Sequence, residues 1–184
     1  MVGRRKLYDL EQEKEQMKLP THQQFLDAGF TRHEAIALAC QNPIEAAVDF
    51  VGVADRDDQT AVLITPDPDA APGAFGLAVE SLATVLWKRG HDLSATGDEI
   101  DHGNMVDRAI ERKCFLGFDR GRFAICRPGA IPVSWVAGWR GIDVLIVHDR
   151  IINTGPDFQL LEWAMNSLRK PAAIFQSGAI TLKS

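Results

Sequence analysis

The sequence predicts an α/β protein: an open, mainly parallel sheet covered by helices, preceded by a small three-helix module. Three observations carry that expectation. Residues 144–147 form a continuous apolar run closed by His148 and Asp149, as a strand buried on both faces of a parallel sheet does. A polar turn with Gly155 and Pro156 follows, and Phe158, Leu161, Met165 and Leu168 then recur at i, i+3, i+7 and i+10, one stripe of an amphipathic helix. A second short apolar run, 172–175, completes a strand–turn–helix–strand unit, whose turn lies where such sheets bind ligands.

Composition narrows the function classes. The chain of 184 residues has room for one ordinary domain and a small appendage. Its 46% hydrophobic content is that of a globular protein, and no apolar run approaches the roughly 20 residues of a membrane span. The charged start, MVGRRKLYDLEQEKEQMK, has no apolar core of the kind a signal peptide needs, so a cytoplasmic protein is expected. Cys40, Cys114 and Cys126 stand at no metal-like spacing and read as small core residues of a reducing compartment. A formal charge of −5 argues against general nucleic-acid binding.

Taken in order, residues 1–19 are a charged segment with helix formers but little apolar stripe. Residues 20–53 read as three helices. Thr21 caps the first, which carries Phe25 and Leu26 and ends at Gly29; Thr31 with Glu34 is a capping-box pattern for the second, with Ala35, Leu38 and Ala39 inward. Asn42-Pro43 starts the third, with Ile44, Ala47, Val48 and Val51 inward. At about thirty residues this module is below the size that usually stands alone, so it is expected to dock on the α/β domain or on another chain, as a homo-oligomer or with a protein partner. Residues 54–59 are a polar break, and the α/β domain is placed at 60–184. Within it, a strand over Ala61–Ile64 leads through a Pro- and Asp-rich loop to a helix over 75–89, with Val79, Leu82, Ala83 and Leu86 inward and Gly90 as its stop. A weak strand over 91–95 and a polar turn over 96–104 precede a short helix capped by Asn104. Phe115–Phe118 and Phe123–Cys126 flank a charged tip; a hairpin and two separate parallel strands both fit them. Residues 127–140, with two prolines and two tryptophans, are expected to wander over the surface.

Two stretches resemble known families. AGF…EAIALA…NPIEAAVDFV resembles ubiquitin-associated three-helix modules. LATVLWKRGHDLSATGDEIDHGNMVDRAI, FAICRPG and IDVLIVHDRIINTGPDFQLLEWA…KPAAIF together resemble the SLOG group of Rossmann-like proteins, which includes the cytokinin-activating phosphoribohydrolases and the DNA-processing protein A family. The second half is also similar to nucleoside 2-deoxyribosyltransferases. The resemblance implies a Rossmann-like fold and a nucleotide or nucleotide-derived ligand held by the two polar turns, through Gly97, Asp98, Asp101 and Asn104 in the first and Thr154, Gly155 and Asp157 in the second. It also implies a carboxylate, Glu162, acting on an N-glycosidic bond through an oxocarbenium-like transition state. The sequence departs from the families in four respects: the first turn lacks a double glycine, Gly155 is followed by Pro156 and Asp157 rather than Gly-Thr, acidic residues crowd both turns, and Gln159 stands where the transferase spacing puts its Glu. Fewer glycines mean fewer backbone N–H groups close to a phosphate, and added carboxylates repel one.

Other polar clusters have plainer readings. Asp101, His102 and Asp107 suit a capped helix entry, with no second cluster to complete a metal site, so neither a metal nor a cofactor is expected. Trp135 and Trp139 can stack on a base or pack in a core. Arg120, Arg122 and Arg127 can take phosphate or form a charged hairpin tip. Two functions follow: a SLOG-like protein binding a nucleotide-type small molecule, with or without hydrolysis, or a non-catalytic assembly protein working through its helical module.

Overall fold

The computed structural model describes residues 19–40, 42–53, 59–67, 69–90, the backbone of 115–118, and 122–127, 141–151 and 155–184. The helices among them are α1 (His22–Asp27), α2 (Arg32–Leu38), α3 (Pro43–Gly52), α4 (Pro72–Lys88) and α5 (Gly155–Asn166). The strands are β1 (Ala61–Ile64), β2 (Phe115–Phe118), β3 (Phe123–Cys126), β4 (Ile142–Val147), β5 (Leu168–Gln176) and β6 (Ala179–Lys183). They form one six-stranded sheet in the order β2-β3-β1-β4-β5-β6. β3, β1, β4 and β5 run parallel, and antiparallel β2 and β6 close the two edges. Every residue of β1 and β4 is buried, so the apolar run over 144–147 lies at the centre, as its composition requires.

Side-chain alternation divides the core in two. Ala61, Leu63, Phe123, Ile125, Val144, Ile146, Ala173 and Phe175 share one cluster with α4 and the three N-terminal helices. Val62, Ile64, Ala124, Cys126, Leu145, Val147 and Ile174 share the other with Leu160 and Ala164 of α5. The helix after β1 and the helix after β4 therefore cover opposite faces. That is a doubly wound, Rossmann-like arrangement, in which the chain leaves the centre of the sheet in two directions.

The helical module forms for local reasons that the sequence displays. Thr21 with Gln24 and Thr31 with Glu34 make complete capping boxes, and the Asn42 side chain accepts from the N–H groups of Ile44 and Glu45. Phe25, Phe30 and Phe50 meet edge to face, with centroids about 6 Å apart, and Leu38 and Val48 are buried beside them. Phe30 of the Gly-Phe loop is thus a core residue and not a surface contact. Ala39, expected inward, is exposed just past the end of α2. The module packs on the α/β domain through named contacts. The Gln59 amide donates to the buried Glu34 carboxylate, the Arg122 guanidinium donates to the Val51 carbonyl, and Arg89 pairs with Asp49 through two nitrogens.

One expectation needs correction here. The inward stripe of α5 is not Phe158, Leu161, Met165 and Leu168. The helix stops at Asn166, where the Ser167 N–H and hydroxyl bond back to the Trp163 carbonyl, and Leu168 already belongs to β5. Leu160 and Ala164 face the sheet instead, leaving Phe158 49% exposed. Phe115–Phe118 and Phe123–Cys126 are an antiparallel hairpin, which settles the alternative left open by their spacing. The strand β6 had no counterpart in the sequence reading; a tight turn with Ser177 and Gly178, both at positive φ, brings it back along β5. Residues 54–58 of the polar break over 54–59, the strand and helix expected over 91–110, and Trp135 and Trp139 lie outside the described residues.

Candidate functional site

In a doubly wound sheet the crevice opens where neighbouring strands send their connections to opposite faces. Here that point lies between β1 and β4. The register pairs Ile64 with Cys126 on one side and with Val147 on the other. One residue further on, Arg127, Thr65 and His148 stand side by side at the carboxyl edge of three parallel strands. Val147 also pairs with Gln176, which puts Ser177 next in the row.

The backbone here is held by its own polar groups. Thr65 is fully buried, and both its N–H and its hydroxyl donate to the Cys126 carbonyl, at 2.9 and 3.1 Å. The His148 N–H donates to the Ile64 carbonyl at 3.1 Å. His148 Nδ1 accepts from the Arg150 N–H at 3.2 Å, so Nε2 is the ring nitrogen left to carry a proton in the neutral form. Asp149 accepts from the Ser177 N–H at 3.0 Å, tying the loop after β4 to the β5–β6 turn. In the loop after β1, Asp67 accepts from the Asp69 N–H and closes a turn that delivers the chain to α4.

Two helices begin at this edge, and their first turns differ. α4 starts at Pro72 with no side-chain cap and no acidic residue in its first turn. α5 starts at Gly155, at φ +59, and carries Asp157 in its first turn, where a carboxylate complements the helix dipole. The positive end of α5 is already matched, while that of α4 is not. Arg127 is half-buried, and among the described residues its Nε is enclosed with no hydrogen-bond partner.

The residues expected to form the site fall into two groups. Gly155 and Asp157 stand at the start of α5, on the carboxyl side of the sheet. Gly97, Asp98, Asp101, Asn104 and Thr154 lie outside the described residues. Glu162 is exposed. It lies about 10 Å along the axis from Gly155 and about 200° around the helix from both Leu160 and Ala164, on the side away from the sheet. Thr65 and His148 were not selected from the sequence. His148 was visible as the polar residue closing the apolar strand, but Thr65 gains its place only through pairing across 61 residues. Among the described residues no group of three or more His, Cys, Asp or Glu side chains could hold a metal ion.

A concave feature lies elsewhere. A groove of about 410 Å³ is lined by His33, Ile36, Ala37, Val48, Asp49, Gly52, Val53 and Arg89, on the helical module and the end of α4. Its lining does not make it the chemical site. Its walls are mainly aliphatic, and its strongest charges, Arg89 and Asp49, neutralise each other; the Asp49 hydrogen bond and charge hold the Arg89 guanidinium above its ordinary pKa.

No family model, curated protein or solved structure matches the chain. Its class is set by its own architecture, a doubly wound α/β protein with helices on both faces of a mainly parallel sheet. Among the described residues no helix is long and apolar enough to cross a membrane.

Proposed function

We propose that this protein binds a nucleotide or nucleotide-derived small molecule at the carboxyl edge of its sheet, between β1 and β4. The observation that carries the reading is the packing of α4 and α5 on opposite faces, since that places the switch in chain direction between two central, fully buried strands. Arg127 and His148, on either side of the buried Thr65 at that edge, are polar groups of the kind a small-molecule site needs. The outward, exposed position of Glu162 supports binding over cleavage of an N-glycosidic bond.

A thermal-shift screen over nucleosides, nucleotides and nucleotide sugars tests this. A ligand at a hundred times its Kd stabilises the native state by about 2.7 kcal/mol, which for a chain of this size is a rise of several degrees in Tm. At least one compound should produce that rise, and Glu162→Gln should leave it unchanged. A flat response across the panel at millimolar concentration would sink the reading. If a nucleoside or nucleotide is instead hydrolysed by the parent protein and not by Glu162→Gln, the hydrolase alternative replaces it.

A second reading is favoured by the groove on the helical module, where Ile36 is 58% and Val53 42% exposed. In that reading the chain is a non-catalytic assembly protein, and the panel would be silent while Ile36→Lys abolished association with its partner.

A further inference from the structure

The sheet ends on β6, and the backbone groups of that strand point to a partner. β6 pairs antiparallel with β5 without a register shift, from Gln176↔Ala179 to Ala172↔Lys183. Ser177 and Gly178, both at positive φ, make the two-residue turn, so Gln176 and Ala179, which close it, are a hydrogen-bonded pair. Hydrogen-bonded and open pairs alternate along an antiparallel ladder. Ala179, Thr181 and Lys183 therefore turn their N–H and C=O groups to β5, while Ile180 and Leu182 turn theirs outward. Among the described residues no strand lies on that side. The side chains divide the same way: Ile180 and Leu182 are half-buried against the larger core cluster, and Ala179, Thr181 and Lys183 are exposed on the other face. An edge with a row of free backbone groups is a template for a further strand.

We infer that β6 pairs antiparallel with β6 of a second copy of this chain, about a two-fold axis through Thr181. The strand is complementary to itself in that register. Ile180 meets Leu182 of the second copy and Leu182 meets its Ile180, so each outward-facing residue exchanges two backbone hydrogen bonds. Both side chains lie on the core face, and the apolar surface continues across the axis. Thr181 meets its own copy on the exposed face, a favourable cross-strand pair. A slip of one residue would set outward groups against groups already bonded to β5, and a slip of two would leave Leu182 against Gly178 or Ile180 against Ser184. Lys183 is the kind of charge that guards an edge. In this register it faces Ala179 of the second copy and stands about 14 Å along the strands from the other Lys183, beyond the screening length of about 8 Å at physiological salt. The same strand is used on both copies, so the contact closes at two.

Sedimentation of the whole chain over a range of concentration tests this. A contact of one short strand is small, so the range runs from about 10 μM to about 1 mM, and the mass should rise from that of one chain to that of two. Position 181 then reports the axis, because a residue there meets itself. Thr181→Lys and Thr181→Asp should each weaken the dimer by up to about fivefold, since like charges stand directly opposite. An equimolar mixture of the two variants should pair more tightly than either variant alone, which a surface away from the axis would not produce. Ala179→Asp, facing Lys183 of the second copy, should tighten the dimer and Ala179→Lys should loosen it, a contrast that remains should the Thr181 variants fail to fold. A chain that stays single at 1 mM overturns the inference. So does a dimer that the charges at 181 and 179 leave unchanged, or one lost with Ile36→Lys instead, which would put the contact at the groove of the helical module.

Discussion

At the scale of single residues, the amino edge of the sheet shows how closely this fold is fitted. Asp143, the second residue of β4, is almost wholly buried, accepts from the Thr60 N–H at 2.8 Å and pairs with Arg169 of β5. The β4–β5 register jumps from Ile142↔Leu168 to Val144↔Ala173, and that irregularity brings Arg169 opposite Asp143. Gly141 passes behind the pair at φ +113, and a Cβ there would sit 2.5 Å from Arg169 Cγ and 2.9 Å from the Ser167 carbonyl oxygen. The side chain can shift, but the backbone oxygen cannot easily do so. Gly141→Ala should therefore cost about 1–3 kcal/mol from positive φ alone, with the clash adding to it, read as a lower midpoint in urea. A midpoint equal to the parent's would mean that this junction is looser than described. None of this could be read from the sequence, because Asp143 and Arg169 look like ordinary surface charges until the register places them together.

At the scale of elements, legibility followed the kind of signal. Capping is local, so the starts of all three module helices were readable from Thr21, Thr31 and Asn42. The inward stripe of α4 was readable too, because Val79, Leu82, Ala83 and Leu86 are flanked by Glu80 and Ser81. The stripe of α5 was not. Phe158, Leu160, Leu161, Trp163, Ala164 and Met165 circle most of that helix, so several faces compete and only packing decides among them. The difference is measurable. Leu160→Ala should cost about 2–5 kcal/mol, whereas Phe158→Ala should stay within about 0.5 kcal/mol of the parent. Equal losses at the two positions would restore the stripe expected from spacing. The edge strand β6 escaped notice for a related reason: AITLK is short and polar on alternate residues, and its pairing depends on the positive-φ turn at Ser177-Gly178.

At the scale of the whole molecule, the sheet order decides where function is sought. The alternation of apolar strands and helices announced a parallel sheet, and the buried run over 144–147 announced its centre. The sequence could not announce that β1 sits between β3 and β4, since that order depends on which face each crossover takes. The candidate site was therefore half legible. Gly155 and Asp157 could be found from the turn itself, while the row of Arg127, Thr65 and His148 required the register. The central claim is that ligand occupies the edge between β1 and β4 and not the groove on the helical module. Backbone amide spectra of the labelled protein, titrated with whichever compound raises Tm most, test it directly. Shifts should concentrate at Thr65, Asp67, Arg127, His148 and Gly155, with the amides of His33, Ile36 and Val53 unmoved. Shifts confined to His33, Ile36, Val53 and Arg89, with the carboxyl edge silent, would contradict the account.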